Sequence, residues 1–292
     1  MGVDANGAKS ANDEAIETWN TILFDKFVRF RHLITKGLGA HGDALVARHP
    51  LRPGAKVLDV GCGFGDMSAD LARAVGAAGE VVGVDCAPRF IEAAAGEAQT
   101  SGLRNVRFEV RDVQFDPLGG PYDQVYSRFG TMFFASPVAA LKNIRKSLKP
   151  RGELAMVVWR KKEENPWVHI AEQRVKALVP PEPEDHNQPT CGPGPFSMAG
   201  PDMVSDMLRG AGYTRIRFER VDGDICIGRT LDEAIEFGMA LGPAGEVLRL
   251  LGPAADEFRP AVRAALNEAF APYVKTGGVM APSSTWIISA TA

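Results

Sequence analysis

The alternation of apolar runs with amphipathic stretches is the main structural signal along this chain. Apolar runs typical of strands lie at residues 56–60, 80–84, 106–111, 122–127 and 153–159. The second and fifth runs are almost continuously apolar, as strands are when helices cover both faces of a parallel sheet. With amphipathic helices between them, these runs predict an α/β fold whose strand–helix units cover residues 55–160.

The stretch "SPVAALKNIRKSLKPRG", residues 136–152, is typical of the helices between these strands. Ser136 is expected to cap the helix and Pro137 suits its first turn. Pro150 and Gly152 are expected to end it. The apolar side chains share one helical stripe, which is made by Val138, Leu141, Ile144 and Leu148.

Helical patterns also precede the strand–helix units. Residues 14–50 carry aromatic side chains at roughly helical intervals, which predicts an amphipathic helical prelude. The prelude is either simple packing or a lid, in which case Trp19 or Phe24 contacts a bound ligand. The small and polar residues 1–13 before it are expected to form a disordered tail.

Residues 160–200 break the strand–helix regularity. A helix is expected first, followed by a Pro- and Gly-rich loop at 180–200. A loop of that length in a compact domain is typical of a functional or mobile lid. A helix at 201–209 and a strand at 214–221 are expected to follow.

The last part of the chain combines a helical pattern at 230–275 with a final apolar run, "TWIISATA". Because this run predicts a strand after the helices, we interpret residues 228–282 as a helical cap inserted before the last strand. Residues 14–292 are then a single domain. The apolar stripes of such a cap suit either the wall of a pocket or the interface of a homodimer, and the pattern leaves both open.

Composition and charge narrow the choice of partners. The chain has 292 residues, 45% of them hydrophobic and 24% charged, which is typical of a globular protein with a substantial core. Its net charge of -3 results from 33 basic and 36 acidic side chains without a long run of either sign. This balance disfavours nucleic acid and anionic membranes, so a small molecule or a protein is the more natural substrate.

The cysteines and the apolar runs indicate the cellular compartment in which the protein is expected. The four cysteines lie far apart and without a C-x-x-C pair, at Cys62, Cys86, Cys191 and Cys226. Since no histidine stands at metal-ligand spacing, the sequence predicts free thiols in a reducing compartment and no metal site. The chain lacks the pattern of a secretory signal, and no apolar run approaches the roughly 18 residues of a membrane span. A cytoplasmic location is therefore expected.

The stretch "KVLDVGCGFGD", residues 56–66, carries the first candidate chemistry. Gly61, Gly63 and Gly65 form the pattern G-x-G-x-G, whereas a dinucleotide fold uses G-x-G-x-x-G to seat a pyrophosphate at a helix N-terminus. Asp59 lies on the strand just before this turn. Its carboxylate suits a cationic or amine-bearing ligand better than a pyrophosphate.

Two more acids follow at the ends of the next strands. Asp85 ends the second strand, where a carboxylate can accept both hydroxyls of a ribose. Asp112 ends the third strand and is placed to accept from an adenine amino group, while Val113 donates its backbone N–H. Since ligands of open α/β sheets bind at the carboxyl ends of the strands, these acids predict a site for a nucleoside without phosphates.

Five stretches resemble, in order and spacing, the sequence blocks of class I S-adenosyl-L-methionine-dependent methyltransferases. They are "VLDVGCGFG", "VVGVDCAPRFIEAA", "RDVQFDPL", "YDQVYSRFG" and "LKPRGELAMVVW". The resemblance covers residues 55–160 and, more weakly, the last two strands. The stretch "SRFGTMFF" is similar to a bacterial small-molecule subgroup related to the ubiquinone and menaquinone C-methyltransferases.

The resemblance implies a fold and a cofactor. The fold is a Rossmann-like, seven-stranded, mostly parallel sheet of strand order 3-2-1-4-5-7-6, with "TWIISATA" as the antiparallel strand 7. S-adenosyl-L-methionine is the implied cofactor, with its methionine portion at the glycine motif, its ribose on Asp85 and its adenine near Asp112. The implied cofactor-binding residues are Asp59, Gly61, Cys62, Gly63, Gly65, Asp85, Cys86, Asp112, Val113 and Ser127.

Two further residues are candidates for catalysis or substrate binding. Arg128 follows Ser127 at the end of the fourth strand and suits a carboxylate of the cofactor or of an anionic substrate. The alternative is a structural ion pair with Asp123 or Asp66. His169 lies just past the fifth strand and is the candidate general base, with a structural or solvated histidine as the alternative.

The tripeptide "NPW", Asn165 to Trp167, is similar to a motif that amino-group methyltransferases carry at the end of strand 4. Here it lies after strand 5, so we interpret it as a helix start with Pro166 in the first turn. Trp167 and His169 are still placed to line a substrate pocket.

The resemblance implies transfer of a methyl group to a small-molecule acceptor, through an O, N, S or C nucleophile. Such an in-line displacement needs alignment and exclusion of water more than acid–base chemistry. A protein-directed methyltransferase and a cofactor-binding protein without transfer activity remain the alternatives.

Overall fold

The computed structural model describes residues 11–180 and 192–292. Within them, eight strands form one sheet. The strands are β1 (Lys56–Val60), β2 (Glu80–Asp85), β3 (Val106–Val110), β4 (Tyr122–Arg128), β5 (Leu148–Trp159), β6 (Thr214–Gly228), β7 (Val274–Lys275) and β8 (Gly278–Thr291). The sheet order is β3-β2-β1-β4-β5-β8-β6, and the short β7 pairs only with β8.

The predicted sheet topology is confirmed. Strands β1 to β5 pair in parallel, whereas β8 runs antiparallel to both β5 and β6. Strand β8 therefore takes the place of the predicted strand 7. The two-residue β7 is an addition to the predicted seven strands, because the chain turns back at Gly277 and pairs Val274 with Val279.

Eleven α-helices lie within the described residues. They are α1 (Ala11–Thr18), α2 (Phe24–Arg29), α3 (Gly39–Arg48), α4 (Asp66–Val75), α5 (Pro88–Thr100), α6 (Pro137–Ser147), α7 (Pro166–Lys176), α8 (Pro201–Gly210), α9 (Leu231–Ala240), α10 (Gly242–Leu250) and α11 (Ala255–Phe270). Wider helical turns at Trp19–Leu23 and Leu33–Gly37 join the first three helices into a nearly continuous prelude.

The prelude starts earlier than the sequence predicts. Helix α1 begins at Ala11, inside the segment 1–13 that was expected to be disordered, because Asn12 hydrogen-bonds to residues at the end of β3. Residues 1–10 of that segment lie outside the described residues. The sequence pattern carries no sign of a contact over such a separation.

Helix α6 begins as predicted but ends earlier. Pro137 occupies its first turn, whereas the side chain of Ser136 makes no capping hydrogen bond. The helix ends at Ser147 because Leu148 adopts extended backbone and pairs with Tyr122 of β4. Pro150 and Gly152 therefore lie within β5 and do not end the helix.

The cap is shorter than expected because the strands that flank it are longer. Strand β6 continues to Gly228, and β8 starts at Gly278, well before the "TWIISATA" run. The two strands pair through the polar segment at Asp222–Asp224, which the sequence pattern does not mark as a strand. Helices α9 to α11 form the cap and occupy residues 231–270 rather than 228–282.

The apolar core lies on both faces of the sheet. Along β1, Leu58 and Val60 belong to the larger cluster, which includes Phe237 and Leu266 of the cap. Val57 belongs to a second cluster with α4, as the alternation of side chains along a strand requires. Leu58 is fully buried, and burial of a leucine contributes roughly 1.5–3 kcal/mol. The sheet thereby holds the carboxyl ends of β1 to β4 in fixed positions.

Candidate active site

The glycine motif makes the turn between β1 and α4. Gly61, Gly63 and Gly65 have φ angles of 69°, 52° and 76°, which glycine adopts with little strain. A Cβ on Gly61 would lie 3.0 Å from the Cα of Gly130, and one on Gly65 would lie 2.7 Å from the ring of Phe108. A Cβ on Gly63 would meet no described atom within 4 Å. The loop is thus tightly packed at Gly61 and Gly65, whereas the space around Gly63 is open.

Asp85 holds this loop from the end of β2. Its Oδ2 accepts a hydrogen bond from the N–H of Gly63, and its Oδ1 accepts one from the N–H of Ala87, each at 3.0 Å. Burial raises the pKa of Asp85, although these backbone hydrogen bonds partly oppose the shift. The carboxylate thus joins the glycine loop to the start of α5.

Asp59 is a buried acid beneath the same turn. Its Oδ2 accepts a hydrogen bond of 2.6 Å from the hydroxyl of Ser68. Burial raises the pKa of Asp59 to about 6, while the Ser68 hydrogen bond and the charge of Arg128 act in the opposite direction. A further cation near Asp59 would favour its ionised form.

Asp112 lies two residues past β3, in a network that includes α1. Its Oδ1 accepts from the N–H of Gln114 at 2.9 Å and from the side-chain amide of Gln114 at 3.2 Å. Its Oδ2 accepts from the side-chain amide of Asn12, whose own oxygen accepts from Gln114 at 2.7 Å. Sequence reasoning missed Asn12 and Gln114, because neither belongs to a recognisable motif.

The cavity-facing cysteines are neutral thiols. Burial, with the nearby charge of Asp85, raises the pKa of both Cys62 and Cys86. Both are free, as is Cys226 on β6, whereas Cys191 lies outside the described residues. Cys62 and Cys86 therefore act as small side chains in the cavity wall.

A cavity of about 750 Å³ unites most of the predicted site residues. The predicted residues that line it are Asp59, Gly61, Cys62, Gly63, Asp85, Cys86, Asp112, Val113 and Arg128. Gly65 packs beneath the loop instead, and Ser127 is fully buried with its hydroxyl donating to the carbonyl of Val60 at 2.8 Å. Both therefore support the site from behind.

The structure does not bring His169 into this cavity. Its neighbours Trp167 and Val168 on α7 line the cavity, whereas His169 is absent from the lining that the described residues provide. Its Nδ1 is buried and has no hydrogen-bond partner within the described part of the chain. The geometry gives His169 no route to a substrate proton in the cavity.

Arg128 has neither of its expected structural partners. Asp66 pairs with Arg31 at 3.3 Å, and Asp123 pairs with Lys149 at 2.6 Å. Arg128 itself donates to the carbonyl of Thr35 at 3.3 Å and forms no ion pair with a described residue. Its guanidinium is thus held beside the cavity by the prelude.

Aromatic side chains form the side of the cavity that faces the cap. The rings of Phe129 and Trp159 stack with centroids 4.4 Å apart, and those of Trp167 and Phe237 stack at 6.1 Å. Trp159 and Trp167 meet edge to face at 6.2 Å, so the four rings are continuous. We call these four residues the aromatic wall. Sequence reasoning placed only Trp167 near a pocket.

Buried polar residues hold the aromatic wall from behind. The imidazole of His41 lies 2.7 Å from the hydroxyl of Ser283 and 3.1 Å from that of Thr285, with its ring 5.8 Å from Trp159. Burial lowers the pKa of His41 to about 4, so the ring is neutral at physiological pH. His41 thus holds β8 in place through its contacts with these two hydroxyl groups.

Asn165 anchors the start of α7. Its Oδ1 accepts from the N–H of Ser284 at 2.8 Å, and its Nδ2 donates to the carbonyl of Ser284 at 3.1 Å. Pro166 occupies the first turn of the helix, as predicted. The "NPW" tripeptide thus starts a helix and places Trp167 in the aromatic wall.

Among the described residues, no group of three or more His, Cys, Asp or Glu side chains is arranged to hold a metal ion. Nor does any helix in that part of the chain have the length and apolar character needed to cross a membrane.

Comparisons with known proteins agree with this geometry. Residues 51–189 match the family described as "Methyltransferase domain". Demethylmenaquinone methyltransferase of Staphylococcus aureus is 32% identical over 134 residues, which are 46% of this chain and 50% of the relative. The chain thus spans about half the length of the curated relatives it matches.

Solved structures share the fold. The YcgJ protein of Bacillus subtilis aligns with a TM-score of 0.57 at 17% identity, over 87% of this chain and 98% of that one. A chain from the complex of the Haloferax volcanii Trm112 methyltransferase activator with a methyltransferase aligns with a TM-score of 0.51 at 21% identity, over 95% and 97%. Residues 51–189 are thus similar to a methyltransferase domain, and about half of a demethylmenaquinone methyltransferase is related to this chain.

Proposed function

We propose that this chain transfers the methyl group of S-adenosylmethionine to a small-molecule acceptor with a large apolar, ring-bearing part. One observation carries this proposal. The cavity that holds the glycine motif and its three acids is continuous with the aromatic wall. Cofactor and acceptor can therefore lie in contact within one cavity.

The described residues fit the cofactor. The open face at Gly63 leaves room where a side chain would fill the cradle, and Asp85 is held by two N–H groups at its edge. Asp85 is then the partner of the ribose hydroxyls, and Asp112 with Val113 the partners of the adenine. When bound, the cofactor supplies an electrophilic methyl group on a positively charged sulfonium.

Asp59 and Arg128 suit the amino-acid end of the cofactor. They are opposite charges that line the same part of the cavity, and each acts on the other electrostatically. A bound ammonium group would favour ionised Asp59, and a bound carboxylate would pair with Arg128. In this arrangement the Arg128 charge meets the cofactor carboxylate and not the sulfonium.

The aromatic wall contributes positioning and exclusion of water. Ring faces attract a cation, so Trp159 and its neighbours favour a sulfonium over bulk water. Flat, apolar faces also orient a ring-bearing acceptor for in-line attack. No histidine lines the cavity among the described residues, so we propose that the acceptor arrives with its own nucleophile.

The prelude supports a small acceptor rather than a protein. Trp19 packs edge to face on Phe133 at 4.8 Å, and Phe24 packs on Phe90 at 4.9 Å. These contacts hold the Trp19–Leu23 turn and α2 against Phe133 and Phe90, which line the cavity. A polypeptide acceptor would need an open groove at this place.

Two measurements test the proposed function. Calorimetric titration should show binding of S-adenosylmethionine and S-adenosylhomocysteine, whereas binding of NAD without affinity for either would overturn the cofactor assignment. Incubation with methyl-labelled cofactor and a metabolite extract, followed by mass spectrometry, should place the label in a small molecule. Label confined to protein would favour a protein-directed enzyme, and cofactor binding without transfer would favour a non-catalytic role.

A further inference from the structure

Helix α2 contacts two parts of the fold, the side of the glycine loop and the cap. Phe24 packs on Phe90 at 4.9 Å, which directs one face toward α5 and the glycine loop. Phe30, directly after the helix, packs on Phe237 of α9 at 5.4 Å, so a second side of the helix contacts the cap. Lys26 lies one helical turn before Phe30 and therefore shares the cap-facing side. Lys26 also lines the cavity.

The cap contributes two more charged groups to this part of the cavity. Glu246 and Arg249 of α10 both line it. Arg249 donates to both carboxylate oxygens of Glu246, at 2.7 and 2.8 Å, in a bidentate pair. The hydrogen-bonding capacity of Glu246 is thus directed to Arg249, and Glu246 acts on Lys26 only through its charge.

Lys26 lacks a counter-ion in the described part of the chain. Its ammonium group forms no ion pair and no hydrogen bond with a described residue, although the side chain is half-buried. Burial lowers the pKa of Lys26, the charge of Arg249 adds to this effect, and the charge of Glu246 opposes it. Removing an ammonium group from water without pairing it is costly, so an anion placed here would be stabilised.

Two other cations line the cavity away from the cap. Arg128 forms no ion pair with a described residue but acts electrostatically on Asp59, and Arg111 pairs with Glu109 at 3.1 Å. Among the described residues at the cap end, Arg249 pairs with Glu246, whereas the ammonium group of Lys26 has no ion-pair partner. The aromatic wall lines the same cavity.

We propose that the acceptor carries a carboxylate that pairs with Lys26 while its apolar rings lie against the aromatic wall. This inference rests on the proposed function, since it names the class of acceptor for the same cavity. It assigns Lys26 a role in acceptor specificity and leaves cofactor binding to the glycine motif and the acids. The acceptor class is thus an aromatic carboxylic acid.

The test compares an acid with its uncharged amide. Biphenyl-4-carboxylate and biphenyl-4-carboxamide have the same shape, and both are titrated into protein saturated with S-adenosylhomocysteine. Wild-type protein should bind the acid at least about tenfold more tightly than the amide, as a charge-assisted pair predicts. Equal affinities, or no measurable binding of the acid, would overturn the proposal.

Variants assign the preference to Lys26. Lys26→Met should remove the preference by weakening the acid alone, whereas Lys26→Arg should retain it. Lys142→Met, which replaces an exposed lysine of α6, should behave as the wild type does. A preference that persists in Lys26→Met would contradict the assignment.

A separate readout distinguishes this inference from the proposed function. The affinity of Lys26→Met for S-adenosylhomocysteine should equal that of the wild type, which also shows that the variant is folded. Loss of acid selectivity with intact cofactor binding supports the role of Lys26. A wild-type protein that binds no S-adenosylhomocysteine contradicts the proposed function itself.

Discussion

The side-chain amide of Asn12 donates a hydrogen bond to the carboxylate of Asp112, which ties the first helix to the end of β3 across a separation of 100 residues. Asn12 also accepts from Gln114 at 2.7 Å, so the contact is a small network. The prelude therefore closes over the acid that we assign to the adenine. We therefore expect this contact to open when the cofactor enters and leaves.

Asn12→Ala should accelerate cofactor exchange. Loss of a hydrogen bond worth about 1 kcal/mol predicts that S-adenosylhomocysteine dissociates about fivefold faster. Stopped-flow displacement measures this rate. Thr21→Ala is the matched control, because its hydroxyl bonds only within the same helical segment, to the carbonyl of Glu17. An unchanged rate in Asn12→Ala would show that α1 does not limit exchange.

Asp85→Ala should weaken cofactor binding by about 10- to 100-fold. The substitution removes the proposed ribose acceptor and leaves the N–H groups of Gly63 and Ala87 without their carboxylate, at a cost of roughly 1–3 kcal/mol. Asp85→Asn should keep part of the loop geometry and lose less affinity. Titration calorimetry measures both, with the exposed Asp70→Ala as control. Wild-type affinity in Asp85→Ala would contradict the placement of the ribose.

Asp59 should make the ligand-free protein less stable as the pH rises from about 4 to about 6. Its pKa is about 6 in the folded chain and 3.8 as a free side chain, so the folded state binds the extra proton in this window. The difference corresponds to roughly 2–3 kcal/mol that favours folding at low pH and is lost above pH 6. Asp59→Asn should remove this contribution. Urea unfolding of the wild type and of Asp59→Asn from pH 4 to pH 7 measures the free energy of unfolding. The same pH dependence in both proteins would contradict the prediction.

His41 should have the opposite pH dependence in the same range. Its pKa is about 4 in the folded chain and 6.5 as a free side chain, so the unfolded state binds the extra proton. The stability that neutral His41 contributes, roughly 3 kcal/mol, is present above pH 6.5 and lost as the pH falls toward 4.

His41→Gln is the variant that tests this contribution. It should remove the acid-side loss, as urea unfolding at each pH would show. A wild-type slope in the variant would assign the titration to another group. Because Trp159 packs on His41, the fluorescence of the variant should also shift if the aromatic wall loosens.

Local patterns were sufficient to predict strands β1 to β5 and the candidate residues at their carboxyl ends. The G-x-G-x-G turn and the acids Asp59, Asp85 and Asp112 share one cavity because parallel strands bring their carboxyl ends to the same edge. Ser127 was named through the family resemblance and His169 because it lies just past β5, and the structure places neither side chain in the cavity lining.

The sequence by itself determined the α/β fold and the glycine turn, because alternation, helical period and the conformational freedom of glycine are local properties of the chain. The strand order came from the resemblance to a known family, and the structure confirms it. Only the tertiary structure decided which residues line the cavity beyond the glycine motif and the three acids. Asn12, Lys26, the aromatic wall and its anchor His41 come from segments far apart in the chain, and packing alone brings them together. An apolar stripe predicts that one face of a helix is buried, but it does not identify the element that packs on that face. The residues of the proposed acceptor site are therefore brought together only by tertiary packing.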